Sequence, residues 1–493
     1  ATVAGKTLSA EDLSSLVLRS LKEDAEAHLG ETVDRAVITV PAYFNNDQRT
    51  ATLRSGEMAG YRVERIINEP TAAAIAYGFQ DSDKERVVAV LDLGGGTFDV
   101  SIVEVFDGAL EVQASSGECF LGGEDFTRAM ASKILGRHGH QFEHLEYQRP
   151  HLVSRMIQLC ERAKRQLSSK EKVVVPIPEE DGDVKEDSPR HEASRNDFQE
   201  WIEPILGRLE MPIRRCLGDA GLKRADLDEV ILVGGATRMP IVKERVAFWL
   251  EREPHSDLDP EQVVALGAGV QSGLIDRDQA VEDLVVTDVA PFTLGIEVTQ
   301  HFGTEYRDGY FMPIINRNTT IPVSRVRTVT TLRANQTSLD LTVCQGESRR
   351  VEDNLQLGQF TVRGIPRGPA GQEVDVRFTY DLNGVLEVEA TVVETRQESK
   401  IVIAKHTRGL TEAEIEKALE AMKGLKTHPR DEAVNRFMLK RAERVFRELS
   451  LLEREDLAQL MHGFEEAMEL QESDLVERHR VELEKFLDKA ETG

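Results

Sequence analysis

The sequence predicts a multidomain chain in which an α/β part is followed by an all-β part and then by an all-helical part. Three observations carry this. Apolar strand-like runs alternate with helical patterns up to about residue 282, period-two alternation with turn signals fills residues 288–404, and a pattern rich in Glu, Leu, Lys and Arg runs helically from there to the end. A length of 493 residues fits about three domains of roughly 150 residues each.

In the first part, Ser9 is placed to cap a helix that Gly30 can close. Residues 37–40 read as a strand ending at Pro41. Residues 60–67 lead through a short strand into N-E-P-T-A-A-A-I-A-Y-G, with Pro70 at the first helical position. Residues 87–91 are a β-branched apolar run, expected of a buried strand, that delivers Asp92 to a strand end. Gly94, Gly95, Gly96, Thr97 and Asp99 follow in V-L-D-L-G-G-G-T-F-D-V. The glycines permit a tight turn and close approach to a ligand. Their N–H groups can form an anion-binding concavity, and Asp92 and Asp99 are carboxylates suited to Mg²⁺ and its waters. The plainer reading is a glycine-rich hairpin with flanking acids.

Strands are expected at 101–105, 110–114 and 229–233, and helices around 150–168 and 196–218. The strand at 229–233 runs into G-G-A-T-R, a second glycine turn containing Gly234, Gly235 and Arg238. Two such turns, each after a strand, suggest two halves clamping one nucleotide. Glu69 is a third acid that could face the same metal or water, or could simply favour a helix start. Glu161, Lys164, Arg165 and Ser168 fall on one face of a helix, where a solvated charged face is the usual meaning. Residues 179–192 are acidic with Pro and Gly and read as a solvated loop.

D-L-V-V-T-D at 283–288 puts an apolar run where a linker should be polar. It is either the first strand of the β part or a linker that docks on one domain in one state and is released in another. Beyond it, Leu339, Leu341 and Val343 alternate with polar residues. Val374, Val376, Phe378 and Tyr380 lead into a hairpin turn at Asn383 and Gly384. Thr411 and Glu414 form a capping box, with Leu410 and Ile415 as its hydrophobic staple, opening a small helical bundle.

The net charge of −26, from 61 basic and 87 acidic residues, argues against a nucleic-acid backbone as partner. Four cysteines with no CxxC fit a reducing cytoplasm and no structural zinc. No signal peptide is expected from these residues, and they contain no apolar run of membrane-spanning length.

Taken together, V-I-T-V-P-A-Y-F-N, R-I-I-N-E-P-T-A-A-A, D-L-G-G-G-T-F-D, L-G-G-E-D-F, E-R-A-K-R and I-L-V-G-G-A-T-R-M-P resemble, in order, the ATPase-domain signatures of the seventy-kilodalton heat-shock (DnaK-type) chaperone family. N-T-T-I-P, Q-G-E and L-G-Q-F resemble its peptide-binding β domain. The resemblance implies an actin-like nucleotide-binding domain over 1–282, an interdomain linker over 283–287, an antiparallel β-sandwich that grips extended peptides over 288–404, and a short helical lid over 405–493. It implies ATP or ADP as cofactor with Mg²⁺, and K⁺ as a further candidate ion. Its partners would be unfolded peptide segments, a J-domain co-chaperone contacting Arg65 and a nucleotide-exchange factor, in the cytoplasm.

Carried over by matching motif, Gly94, Gly95, Gly96 and Thr97 would face the β- and γ-phosphates. Asp92 and Asp99 would orient Mg²⁺, its waters and the attacking water, and Glu69 would hold a metal-bound water. Glu161, Lys164, Arg165 and Ser168 match an adenosine clamp whose opposite wall is Gly234, Gly235 and Arg238. Pro41 and Arg49 resemble a switch and relay reporting nucleotide state, together with the linker residues Leu284, Val285, Val286 and Asp288. Ile296, Val329, Leu339 and Leu341 fall where the family lines its peptide pocket.

Departures qualify these expectations. Residues 1–28 resemble neither the phosphate loop nor the catalytic lysine of the family's amino-terminal quarter, so this chain by itself is expected not to turn over ATP. Residues 298–318 exceed the family's loop that arches over the peptide, with Tyr306, Tyr310 and Phe311 as replacements for its arch residue. The short lid is similar to that of the HscC-type bacterial subgroup and implies fast peptide release. Thr287 replaces an apolar linker residue. A nucleotide-independent peptide holdase is one alternative; another actin-like ATPase such as a sugar kinase is a second, against which the β part speaks.

Overall fold

The computed structural model describes the chain except for residues 1, 4–5, 81–84, 107–108, 277, 279–284, 303–304, 382–383, 404–418, 421, 423–432, 447–448, 450, 472 and 493. The capping box at Thr411 and Glu414, Asn383 of the hairpin turn and Leu284 of the linker lie outside the described residues. The chain forms two compact units, Ala1–Pro291 and Phe292–Gly493.

In chain order the first unit contains α1 (Ala10–Leu29), β1 (Arg35–Val40), α2 (Asn46–Met58), β2 (Arg62–Asn68), α3 (Glu69–Gln80), β3 (Arg86–Leu93), β4 (Phe98–Phe106), β5 (Ala109–Glu118), α4 (Gly123–Arg137), α5 (Phe142–Gln148), α6 (Pro150–Leu167), β6 (Lys172–Pro176), β7 (Arg190–Ser194), α7 (Arg195–Leu206), α8 (Glu210–Asp219), β8 (Glu229–Val233), α9 (Pro240–Leu250), α10 (Val263–Asp276) and β9 (Val285–Val289). Ser9 and Asp12 cap α1 reciprocally, and Gly30 ends it at φ 74°. β1 and β2 pair in parallel.

The central sheet runs β8-β3-β4-β5-β9. β8 is parallel to β3, β9 is parallel to β5, and the strands between are antiparallel. Its strands are apolar on both sides because helices cover both faces. Ala89, Leu91 and Leu93 enter one core with residues of α4, α6, α7 and α9, while Val88 and Val90 enter another with α3 and Val263 of α10. Burying each such Val or Leu contributes about 1.5–3 kcal/mol. The sheet thereby fixes the ends of β3, β4 and β8.

Two sequence readings need correction here. The stretch 179–192 is only partly a loop, because Arg190–Ser194 pairs antiparallel with Lys172–Pro176. Residues 285–289 are not the first strand of the β part: they add β9 to the first unit's sheet, parallel to β5.

The second unit contains β10 (Leu294–Phe302), β11 (Glu305–Ile315), β12 (Val323–Thr330), β13 (Ser338–Gln345), β14 (Leu355–Arg363), β15 (Glu373–Tyr380), β16 (Leu386–Val392), β17 (Glu398–Ile403), α11 (Ala433–Phe446), α12 (Leu451–Leu470) and α13 (Ser473–Thr492). Two antiparallel sheets, β11-β10-β13-β14 and β12-β15-β16-β17, face each other. Gly358 of the first lies against Ile401 and Ile403 of the second. The alternation read in β15 is buried as expected: Val374, Val376 and Phe378 are inaccessible to solvent. The stretch 298–318 is not a loop but a long hairpin of β10 and β11. The three helices share a core of Met438, Val445, Leu457, Phe464 and Leu483. Gln471 Nε2 donates to the Val326 carbonyl at 2.9 Å, joining them to the sheets.

Candidate functional site

The two glycine turns lie side by side because β3 and β8 are adjacent parallel strands, with Val233 opposite Asp92. Gly234 has φ 86°, and a Cβ there would collide with the Leu93 carbonyl and stand 2.7 Å from Asp92 Oδ1. The position therefore requires glycine. The first turn is also stitched to the start of α4: Gly123 N–H donates to the Gly94 carbonyl at 2.9 Å and Glu124 N–H to the Gly95 carbonyl at 2.8 Å. With these carbonyls engaged, the turn is held in one shape.

Asp92 and Asp99 face each other across the β3–β4 ladder and are almost inaccessible to solvent. Burial pushes Asp92 up to about 7. Burial, then repulsion by Asp92, pushes Asp99 up to about 7, although the Tyr43 N–H donates to it at 3.2 Å. Glu69, the first residue of α3, is pushed up to about 8 by burial and by Asp92 and Asp99. Such a group of carboxylates lacks positive charge. Among the described residues no three His, Cys, Asp or Glu side chains are grouped to ligate a metal directly.

Gly94, Gly95, Gly235, Arg238 and the α6 face of Glu161, Lys164, Arg165 and Ser168 line one cavity of about 870 Å³. Lys164 is buried and donates to the Gly123 carbonyl at 2.7 Å and Thr127 Oγ1 at 2.9 Å, and it pairs with Glu161 at 2.7 Å. Burial raises Glu161, but hydrogen bonds from Lys164, Thr127 and Arg165 outweigh it and hold the carboxyl at about 2. Burial lowers Lys164 against the pull of Glu161. On the facing wall, Arg238 pairs with Asp259 at 2.7 Å.

A second cavity, of about 670 Å³, opens in the β sheets of the second unit and is lined by Ile296, Val329, Leu339 and Leu341. These side chains make an apolar floor.

The Hsp70 protein family model matches residues 1–492. The chain belongs to the Hsp70 family. It is 43% identical over 417 residues to the chaperone protein DnaK of Akkermansia muciniphila, covering 84% of this chain and 63% of that relative. It is 43% identical over 429 residues to DnaK of Thermus thermophilus (85% and 67%), and 40% identical over 431 residues to DnaK of Deinococcus radiodurans (85% and 66%). The chain spans about two thirds of the length of these curated relatives.

Within this Hsp70 chain the remaining sequence-named residues fall as follows. Asp92, Asp99, Glu69, Thr97, Gly96 and Gly234 are not among the residues that line the first cavity. Pro41 opens a turn closed by the Phe44 N–H at 3.1 Å. Arg49 donates to the Ala42 and Phe44 carbonyls and to Asn68 Oδ1. Asn68 donates to Asp288. Val286 is half-buried in β9, and Arg65 is half-buried on β2. Of the hairpin aromatics, Phe311 lines the second cavity, while Tyr310 lies under Arg350 and Tyr306 against His301.

Thr127 and Asn68 escaped the sequence reading. Thr127 directly follows L-G-G-E-D-F, and Asn68 stands inside R-I-I-N-E-P, so position in a motif was the available signal. Among the described residues no helix is long and apolar enough to cross a membrane.

Proposed function

We propose that this chain is an ATP-regulated molecular chaperone that binds and releases extended apolar segments of unfolded proteins. The observation that carries the reading is the pair of glycine turns at adjacent parallel strand ends, opening on a cavity walled by Glu161, Lys164, Arg165 and Arg238. In this reading the first unit is an actin-like nucleotide-binding domain and the second a peptide-binding sandwich with a helical lid.

The N–H groups of Gly94, Gly95 and Gly96 and the Thr97 hydroxyl hold the β- and γ-phosphates. The charged α6 face takes the ribose and base edge against Gly235 and Arg238. Mg²⁺, when bound, neutralises phosphate charge. Asp92, Asp99 and Glu69 would hold that ion through its waters and orient the attacking water. One of the three carboxylates would take the proton that this water loses.

A bound peptide runs as an extended strand, held by main-chain hydrogen bonds, with one apolar side chain over Ile296, Val329, Leu339 and Leu341. Arg49, Asn68 and Asp288 carry the nucleotide state from the Pro41 turn to the linker strand β9. Arg65, beside Asp288, is the contact for a J-domain co-chaperone, and a nucleotide-exchange factor completes the cycle. Four free cysteines suit a reducing cytoplasm.

The test is a fluorescein-labelled Leu-rich peptide titrated with the purified chain alone, with Mg·ADP and with Mg·ATP. Release accelerated by Mg·ATP supports the reading. Binding indifferent to nucleotide ends the regulated reading and leaves a holdase, and absence of binding ends both.

A further inference from the structure

Residues 251–262, between α9 and α10, form a strap laid along the outer edge of β8. Its backbone is fastened at two points. His255 bridges Ile231 in parallel, giving its N–H to the Val230 carbonyl at 2.9 Å and taking the Leu232 N–H at 3.0 Å. The Pro260 carbonyl accepts the Gly234 N–H at 2.9 Å, which ties the second glycine turn to the strap.

Between these points the fastening is a side chain from another element. Tyr77 Oη, on α3, accepts the Leu258 N–H at 3.1 Å. The Tyr77 ring stands edge-on to His255, with centroids 6.2 Å apart, and both Tyr77 and Leu258 pack on the core that α3 shares with β8. The helix is seated closely on α10, since a Cβ on Gly267 would collide with the Ala72 carbonyl. Tyr77 therefore offers its hydroxyl from a fixed base.

The residue between anchored Leu258 and anchored Pro260 is Asp259. Its Oδ1 accepts from Arg238 Nη2 at 2.7 Å and from the Glu261 N–H at 3.0 Å. Arg238 and Glu261 both line the first cavity. The Arg238 and Asp259 side chains are 50% and 41% exposed, so their pairing adds little to stability. What the pair does is fix where the guanidinium stands on the cavity wall.

We propose, resting on the nucleotide-binding reading above, that Tyr77 is a positioning residue for the nucleoside. Its hydroxyl holds the strap so that Asp259 presents Arg238 to the base and ribose. Tyr77 is not itself among the residues that line the cavity. Glu69 opens the same helix, about 12 Å away along its axis at about 1.5 Å per residue. One helix thus serves both ends of the ligand, with Glu69 toward the phosphates and Tyr77 behind the nucleoside wall.

Tyr77→Phe in the full chain tests this, because it keeps the ring and removes the hydroxyl. Without nucleotide, amide exchange at residues 257–259 is expected to quicken about fivefold, with β3 and β4 unchanged, as suits one lost hydrogen bond. In titration calorimetry Mg·ADP is expected to bind about fivefold more weakly, while Mg·tripolyphosphate, which has no nucleoside, stays within about twofold of wild type. In an Arg238→Ala background Tyr77→Phe is expected to weaken ADP no further, because the group through which it acts is gone. Unchanged exchange at 257–259 overturns the proposal. Equal weakening of ADP and tripolyphosphate also overturns it, by making Tyr77 a general support of the fold. Additive losses in the double variant overturn the route through Arg238. A wild-type chain that binds neither ligand overturns the nucleotide-binding reading itself, and it does so before any variant is made.

Discussion

Asn68 Nδ2 donates to Asp288 Oδ2 at 3.0 Å while Asn68 Oδ1 accepts from Arg49 Nη2 at 2.5 Å. One amide thus ties the last residue of β2 to β9. Arg49 in turn holds both carbonyls flanking Tyr43, whose N–H donates to Asp99 at 3.2 Å. A continuous hydrogen-bonded path joins a carboxylate beside the first glycine turn to the last strand of the first unit.

Asn68→Ala removes the bridge and leaves Asp288 with the Val289 N–H and the charges of Arg49 and Arg65. Losing hydrogen bonds of this kind costs about 1–1.5 kcal/mol. Amide hydrogen exchange at residues 286–289 is expected to quicken by about tenfold, with exchange in β3 and β4 unchanged. Unaltered exchange at 286–289 would sink the claim that Asn68 fastens β9.

The buried acids set a pH dependence. Folded Asp92, Asp99 and Glu69 sit at about 7, 7 and 8, whereas the unfolded groups ionise near ordinary carboxylate values. Between about pH 4 and pH 8 the folded chain therefore holds more protons, and stability falls as pH rises through that window. Asp99→Asn keeps an acceptor for the Tyr43 N–H but no charge. It is expected to melt about 3 °C above wild type at pH 8 and to lose that advantage at pH 5. Mg·ADP binding at pH 7 should also release protons, read by calorimetry in two buffers of different ionisation enthalpy. A variant melting no higher than wild type at pH 8 contradicts the assigned burial cost.

Glu161 and Lys164 are unequal partners. The Lys164 side chain is 7% exposed and Glu161 33%. Glu161→Ala leaves a buried ammonium with only Gly123 and Thr127 as acceptors, a loss on the order of 3 kcal/mol. Lys164→Met leaves Glu161 bonded to Thr127 and Arg165 and partly in water, so a loss of about 1 kcal/mol is expected. Denaturant melts of the two variants decide it, and equal losses would refute the asymmetry.

Both glycine turns were legible because each follows a strand apolar on two faces, a pattern that helices on both sides impose. Their adjacency was not. That Gly234 packs on Leu93 and Asp92 is a tertiary fact with no local trace. The β10–β11 hairpin was misread as a loop because Gln300, His301, Glu305, Arg307 and Asp308 dilute its alternation. Charged residues are what an outer strand carries to discourage pairing with other chains, so polarity there masks strand structure. Arg190–Ser194 was missed similarly, since Ala193 is its one buried residue. Thr127 and Glu161 meet across 34 positions, which no window of sequence spans.

β9 touches β5 through the parallel pairs Val285↔Ala109, Val286↔Leu110 and Thr287↔Glu111. Tension applied along the chain beyond Pro291 would load these backbone bonds together, in shear, instead of peeling them singly. Such a segment resists small pulls almost without extension and then yields in a single step.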